Sequence, residues 1–341
     1  MDIIINKPYY SSQAYSYLFI SRLHYSYKQR KGKNLKNVFI SNNGTLIKNG
    51  LLVKGSIENL VGKYDQNFYL QHWKKGIEQF VVAKYGKSLR SIHLKNENYF
   101  SIHTPWFGYF SWLTSYLPRL IKRLESSENS KLIIPKEWND INFVKDILDT
   151  FKSLNYIHIP EDHHVFVENY YLEPIRPWTS HFIKSDLDLV RKHFDFLIKK
   201  DIKPFRRVYI SRNQAKRRRV VNEHLFIDFL LCNNFEIIEF ENLTVLQQVK
   251  LMNETEIFIG LHGAGLTNLM FMNPKSQVVE LTPIISDFKK FRFPFWRMAD
   301  LLGINYSAIF CRINEFKEID DYSNDIIVDI EEFKSLIEKL V

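Results

Sequence analysis

Cysteine is nearly missing from this chain: Cys232 and Cys311 are the two it has among 341 residues. That number excludes a disulfide framework and a cysteine-built zinc site, and it fits a reducing compartment. No apolar run approaches the ~20 residues that span a bilayer, and residues 1–8 hold too short an apolar stretch for a secretory leader. Low-complexity tails and short-period repeats are missing too. Together these absences set the expectation of a cytoplasmic protein, with room for a peripheral seat on the inner face of a membrane. Acidic residues are outnumbered, 38 against 47 Lys and Arg, for a net charge of +9. The balance favours anionic partners: nucleotide sugars, anionic lipid surfaces or nucleic acid.

What is present is an ordinary globular mixture, 45% apolar and 25% charged. At roughly 150 residues per domain, the length suggests two. Aromatics and cations alternate over 15–36, with Arg22, Lys28, Arg30, Lys31 and Lys33. This pattern reads as a surface helix with solvated charges, or as a basic face resting on anionic lipid. Short apolar runs at 38–40, 45–47 and 51–53 are divided by Asn43-Gly44 and Asn49-Gly50. Asn-Gly supplies the positive φ of tight hairpins, so a β-meander follows. Leu113, Leu117, Leu120 and Leu124 then mark one helical face, with Pro118 as a kink. A buried strand at 131–135, a helix at 142–154 and a strand at 157–159 point to a parallel sheet.

The second half alternates more regularly. Strands are predicted at 207–211, 236–240, 256–260, 277–281 and 307–310, and helices at 221–231, 245–253, 265–272 and 291–302. Ile326, Ile330, Phe333, Ile337 and Leu340 form a closing amphipathic helix that packs back on the body. The fold class is therefore α/β, with a Rossmann-like second half. The domains are drawn as 1–190, an N-terminal α/β domain opened by the meander, and 191–341, a nucleotide-binding domain with its terminal helix.

Three segments carry candidate chemistry. The first is the turn from strand to helix at Gly260-Leu261-His262-Gly263-Ala264-Gly265-Leu266-Thr267-Asn268. Open α/β sheets bind ligands at the carboxyl ends of strands, and the first amides of a helix attract an anion. His262 can donate to a phosphate or act as a base. The second is Ser211-Arg212 followed by Arg217, Arg218, Arg219, Asn222 and Glu223, again at a strand's carboxyl end. Arginine forks bind phosphate oxygens, and Arg212 with one or two of the cluster suffice for one diphosphate. The third is Glu280, where a carboxylate can accept from ribose hydroxyls. No metal site stands out: His163-His164 diverge on a strand, and Asp186-Leu187-Asp188 heads a helix. Leaving-group stabilisation without a metal is the expectation, and no cofactor beyond a nucleotide-sugar substrate is implied.

Together these segments resemble glycosyltransferase family 61. The matching blocks are Gly108-Tyr109-Phe110-Ser111-Trp112-Leu113-Thr114 with Leu117-Pro118-Arg119-Leu120, Tyr209-Ile210-Ser211-Arg212 through Asn222-Glu223, the glycine turn at 260–268, and Val279-Glu280. The resemblance implies a GT-B-like pair of Rossmann-like domains facing a cleft, with donor in the C-terminal domain. It also implies inversion at the anomeric carbon. The partners would be a nucleotide-sugar donor and a glycan or lipid-linked acceptor, in surface polysaccharide synthesis, with no nucleic acid. Related sequences carry a His before the Trp of the first block and an acidic residue a turn later, where this chain has Ser111 and Ser115. The base therefore stays open among His262, Glu97, His93 and His103. A catalytically silent nucleotide-sugar scaffold and a basic nucleic-acid-binding protein are the alternatives. The first two readings predict binding of nucleoside diphosphates, the third salt-sensitive binding of DNA or RNA.

Overall fold

The structure is a computed structural model, and it describes residues 2–13, 23–26, 31–53, 56, 63–85, 90–126, 129–161, 163–175, 181–199, 201–285, 293–316 and 321–341. The chain forms two compact units, one of residues 28–181 and one of residues 1–27 with 182–341. The first 27 residues thus group with the C-terminal half, a return that a single boundary at 190 does not provide.

That return is made by an arm. Strands β1 (Asp2–Ile5) and β3 (Leu23–Ser26) pair antiparallel, and between them β2 (Tyr10–Ser11) lies parallel on Ser307 and Ala308. The amides of Tyr9 and Ser12 donate to the carbonyls of Tyr306 (2.7 Å) and Ala308 (3.1 Å). The helix anticipated over 15–36 is strand wherever that stretch has regular structure in the described residues; Arg22, Lys28 and Arg30 lie outside them.

The unit 28–181 opens with β4 (Lys33–Ile40), β5 (Leu46–Lys48) and β6 (Leu51–Leu52), an antiparallel meander. Asn49 and Gly50 both hold positive φ, 51° and 76°, in the two-residue turn between β5 and β6. Then come α1 (Lys63–Tyr85), β7 (Ser91–Ser101) and a helix in three parts: α2 (Tyr109–Ser111), a π-helical turn at Trp112–Tyr116 and α3 (Leu117–Glu125). Pro118 explains the π turn, because it cannot donate to the carbonyl four residues back; the Leu117 amide reaches Trp112 instead. Next are β8 (Lys131–Pro135), α4 (Asn142–Leu148), shorter than expected, β9 (Tyr156–Ile159) and β10 (His164–Leu172). The sheet order is β6-β5-β4-β10-β7-β8-β9, and β7 to β10 run parallel. The chain moves outward from β7 through β8 to β9, then returns to the other side of β7.

The second unit continues with α5 (Lys184–His193), β11 (Arg206–Ile210), α6 (Ile227–Cys232), β12 (Phe235–Ile238), α7 (Val245–Asn253) and β13 (Thr255–Leu261). After these come β14 (Gln277–Pro283), α8 (Pro294–Leu301), β15 (Asn305–Ile313), β16 (Ile326–Ile327) and α9 (Ile330–Leu340). Strands β11 to β15 are parallel in the order β12-β11-β13-β14-β15, with β16 antiparallel beyond. The terminal helix starts four residues later than its apolar spacing suggested. Ile326 joins β16, and Asp329 caps α9 by accepting the Glu332 amide at 3.0 Å. On one face Phe226, Leu230, Phe333 and Ile337 pack over Ile257, Ile259 and Val279. The rings of Phe226 and Phe333 lie 4.5 Å apart.

Candidate functional site

Because β12 lies on one side of β11 and β13 on the other, the strand order reverses between β11 and β13. Such a switch point leaves a crevice beyond the carboxyl ends of the two strands, where open α/β sheets bind ligands. Ser211-Arg212 follows β11 and His262-Gly263 follows β13, so the arginine segment and the glycine turn flank this crevice.

The turn is held from several sides. The His262 amide donates to the Leu281 carbonyl at 2.8 Å, extending the β13–β14 ladder by one residue. A 3-10 helix, not the α-helix expected at 265–272, spans Ala264–Phe271, and its first bond runs from the Leu266 amide to Gly263 O. The amides of Ala264 and Gly265 have no acceptor inside the helix, a position at which helices attract anions. A Cβ on Gly265 would sit 3.3 Å from the Phe240 ring, tighter than ordinary contact. Asn268 is fully buried and donates to Gln248 Oε1 on α7 at 2.9 Å. Helix α7 is itself started by a capping box between Thr244 and Gln247. From α5, Arg191 donates to the carbonyls of Met270 and Met272 at the other end of the 3-10 helix.

His262 has a built environment. Its Nδ1 bonds to Glu280 Oε1, and the Tyr306 hydroxyl donates to Glu280 Oε2 at 2.7 Å. Glu280 is 3% exposed and His262 17%. The register explains the convergence: Tyr306 lies opposite Val278 and Ala308 opposite Glu280, so Tyr306 and Glu280 are diagonal neighbours on one face. Burial first, and then the adjacent carboxylate, push the Tyr306 phenol well above its ordinary pKa, so it stays a donor. A carboxylate on Nδ1 favours the tautomer with its proton there, which leaves a lone pair on Nε2. The rings of Tyr322 (4.3 Å) and Phe295 (5.4 Å) pack around the imidazole.

The cations divide by partner. Arg219 is bound to Asp325 through its side chain (3.0 Å) and its backbone amide (2.8 Å), which ties the loop to the segment before β16. Arg212 donates to the Arg218 carbonyl at 3.0 Å and lies 3.9 Å from Glu241, so it shapes the loop. Arg217 is exposed. Arg218 holds φ at 59°, uncommon for a side chain of its size, and its Nη1 would lie 3.8 Å from a Cβ on Gly263. It is the cation that the loop sets against the glycine turn.

Several of the candidate residues have hydrogen-bond partners within the protein. Asn222 pairs with the Val328 backbone through both its amide atoms, at 2.8 and 3.0 Å. Glu223 accepts from Tyr209 Oη (2.6 Å) and Ser211 Oγ (3.0 Å). Glu280 holds His262 with one oxygen and Tyr306 with the other. Leu266, Thr267 and Asn268 are buried beneath the turn. All these side chains brace the crevice from within the protein.

Of the other base candidates, Glu97 on β7 pairs with Lys131 at 2.7 Å, and that ammonium and the Tyr99 hydroxyl hold its carboxyl below the usual range. His93 stacks on Phe166. His103 is 4% exposed beside Trp138, and burial first, then the Arg119 charge, pull its pKa down to about 4. That environment favours the neutral imidazole of His103. Ser115 is buried inside the π turn. Among the described residues, no group of three or more His, Cys, Asp or Glu is placed to hold a metal ion, and no helix is long and apolar enough to cross a membrane. Sequence reading missed Tyr306, Tyr322 and Asp325. Only the β14–β15 register and the return of the 321–328 segment bring them to the turn.

Residues 109–279, half of the chain, match the family described as Glycosyltransferase 61. The EGF domain-specific O-linked N-acetylglucosamine transferase of Bos taurus is 34% identical over 80 residues, 22% of this chain and 15% of that protein. An alpha-1,3-arabinosyltransferase of Oryza sativa subsp. japonica is 29% identical over 76 residues, 22% of this chain and 13% of its own. A xylan glycosyltransferase of Arabidopsis thaliana is 24% identical over 111 residues, 32% and 22% of the two chains. The matched stretch is thus under a quarter of the length of each of these relatives. The family match takes in the first block from Tyr109 on, the arginine loop and the glycine turn, and the chain belongs to the glycosyltransferase 61 family.

Proposed function

We propose that this protein is an inverting glycosyltransferase of GT-B type that moves a sugar from a nucleotide-sugar donor to a hydroxyl of a glycan or lipid-linked acceptor, in surface polysaccharide synthesis. The observation that carries the reading is the β11–β13 switch point, where a strand-end histidine backed by a buried carboxylate adjoins a glycine turn and an arginine. In this reading the donor diphosphate lies against Gly263 and the amides before Leu266. Arg218 and those amides offset the charge that grows on the leaving group, so no divalent cation is needed. His262 Nε2 takes the proton of the acceptor hydroxyl as its oxygen attacks the anomeric carbon opposite the leaving diphosphate. Glu280 holds the ring in one tautomer and stabilises the imidazolium that forms; Tyr306 fixes Glu280. The free cysteines, with Cys232 exposed, are in keeping with work in a reducing compartment.

The test begins with a thermal-shift screen against UDP, GDP, CDP, CMP, ADP and TDP, since a ligand at 100 times its Kd adds about 2.7 kcal/mol of apparent stability. Turnover of the matching sugar nucleotides is then measured with and without chelator. His262→Ala should lower kcat by ~10²–10⁴-fold while nucleotide affinity stays within about threefold. An unchanged kcat in the folded variant removes His262 as the base. Nucleotide binding with no turnover supports the silent scaffold, and salt-sensitive polyanion binding alone supports the nucleic-acid reading.

A further inference from the structure

The unit 28–181 has its own switch point. The chain leaves β7 toward β8 and β9 and returns as β10 on the other side, so a crevice lies beyond the carboxyl ends of β7 and β10. Residues 102–109 issue from the end of β7, and the 3-10 turn Lys136–Asp140 from the end of the neighbouring β8. Both segments are aromatic there. Phe107 is 44% exposed. Its ring packs against Trp138, with centroids 5.3 Å apart, and against Phe143, stacked at 5.9 Å. Tyr109 meets Phe143 edge-on at 5.4 Å, and Trp112 meets Trp138 at 5.2 Å. Trp138 and Trp112 are buried, so the exposed ring rests on a fixed aromatic floor.

Two further features fit a ligand on this shelf. Gly108, next to Phe107, holds φ at 152° and ψ at 164°, a conformation essentially reserved for glycine, and a Cβ there would meet no heavy atom within 4 Å. The backbone at the shelf therefore borders open space. Around Trp138, the residues Glu137, Asn139 and Asp140 are exposed and polar. An aromatic face bordered by hydrogen-bonding groups matches a pyranose ring, which has one face of axial C–H bonds and a rim of hydroxyls. The ring's negative π face attracts those weakly positive C–H bonds.

We infer that Phe107, supported by Trp138 and Phe143, is the stacking platform for a pyranose of the acceptor glycan, a role that rests on the glycosyltransferase reading above. The platform is tested without turnover, by saturation-transfer NMR of the full chain with the methyl glycosides of glucose, galactose, N-acetylglucosamine and xylose. At least one glycoside should receive saturation on its axial protons. Phe107→Leu, equally apolar but without a ring, should reduce that transfer at least fivefold, and Phe107→Tyr should keep it. Both variants change an exposed side chain, and an unchanged melting temperature confirms the fold. Equal transfer in Phe107→Leu, or no transfer to any glycoside in the unaltered protein, overturns the platform. Nucleotide binding, read separately by thermal shift, isolates the donor site: glycoside binding without nucleotide binding would overturn the donor reading and leave the platform standing.

Discussion

Each parallel sheet carries a histidine just past the carboxyl end of a strand at its switch point, and the two histidines are treated differently. His262, one residue beyond β13, has a buried carboxylate on one ring nitrogen and a neutral phenol behind that carboxylate. His103, two residues beyond β7, sits among Trp138, Arg119 and the Gly44 turn, with no carboxylate bonded to it among the described residues. The surroundings follow suit: arginines and turn amides at one crevice, an aromatic shelf at the other. Topology places a crevice, and the groups around it decide which partners a histidine there has. The buried imidazole of His103, without a counter-charge, is held neutral.

The sharpest way to break this comparison is to remove the counter-charge. Glu280→Gln keeps the shape but offers His262 an amide, which permits the wrong tautomer, so kcat should fall ~10²–10³-fold with nucleotide affinity unchanged. Steady-state kinetics beside calorimetry would show it, and a loss confined to nucleotide affinity would return Glu280 to the ribose.

Next in size is the acid response of His103. Its folded pKa of about 4 lies below the ordinary 6.5, so between those values the unfolded chain binds a proton that the folded chain refuses. Stability is therefore lost as pH falls from 6.5 toward 4, by about 3 kcal/mol over that window, and this contribution is constant below it. Denaturant melts across the range should show a flatter slope for His103→Leu. An identical slope would mean that His103 charges in the folded protein.

The smallest effects separate two neighbouring arginines. Arg218→Ala should weaken nucleoside diphosphate binding about 10-fold or more, the size of a charge-assisted bond to phosphate. Arg219→Ala should leave binding alone and cost under about 1 kcal/mol of stability, since its partner Asp325 is reached at a half-exposed surface. Reversed outcomes would move the phosphate contact by one residue.

Periodic elements were legible before the structure: the capping-box helix at 245–253 and the buried strand at 131–135 both lie where their patterns put them. The glycine turn and the arginine segment were legible as strand-end loops, which is why they meet at one crevice. Individual roles were not. Asn222, Glu223 and Arg219 look like ligand groups in a line of text, but the returning 321–328 segment bonds Asn222 and Arg219, and Tyr209 and Ser211 donate to Glu223. Tyr306 carries no local signal, since its hydroxyl reaches Glu280 only through the β14–β15 register. The arm escaped notice because its hold on β15 is made largely by backbone, which no side-chain pattern announces.

That arm has a consequence for synthesis. Tyr10 donates to Glu332 at 2.8 Å, a contact spanning 322 residues, and β2 and β16 together cover the outer edge of β15. A ribosome makes β2 long before the strand it must lie on. Strand β2 has no β15 to lie on until the unit of residues 28–181 has been made, and β15 is open to foreign strands until β2 and β16 cover it. The outer edge of β15 is thus closed by two segments that flank the unit of residues 28–181 in sequence, and loss of either would leave backbone there open to a foreign strand.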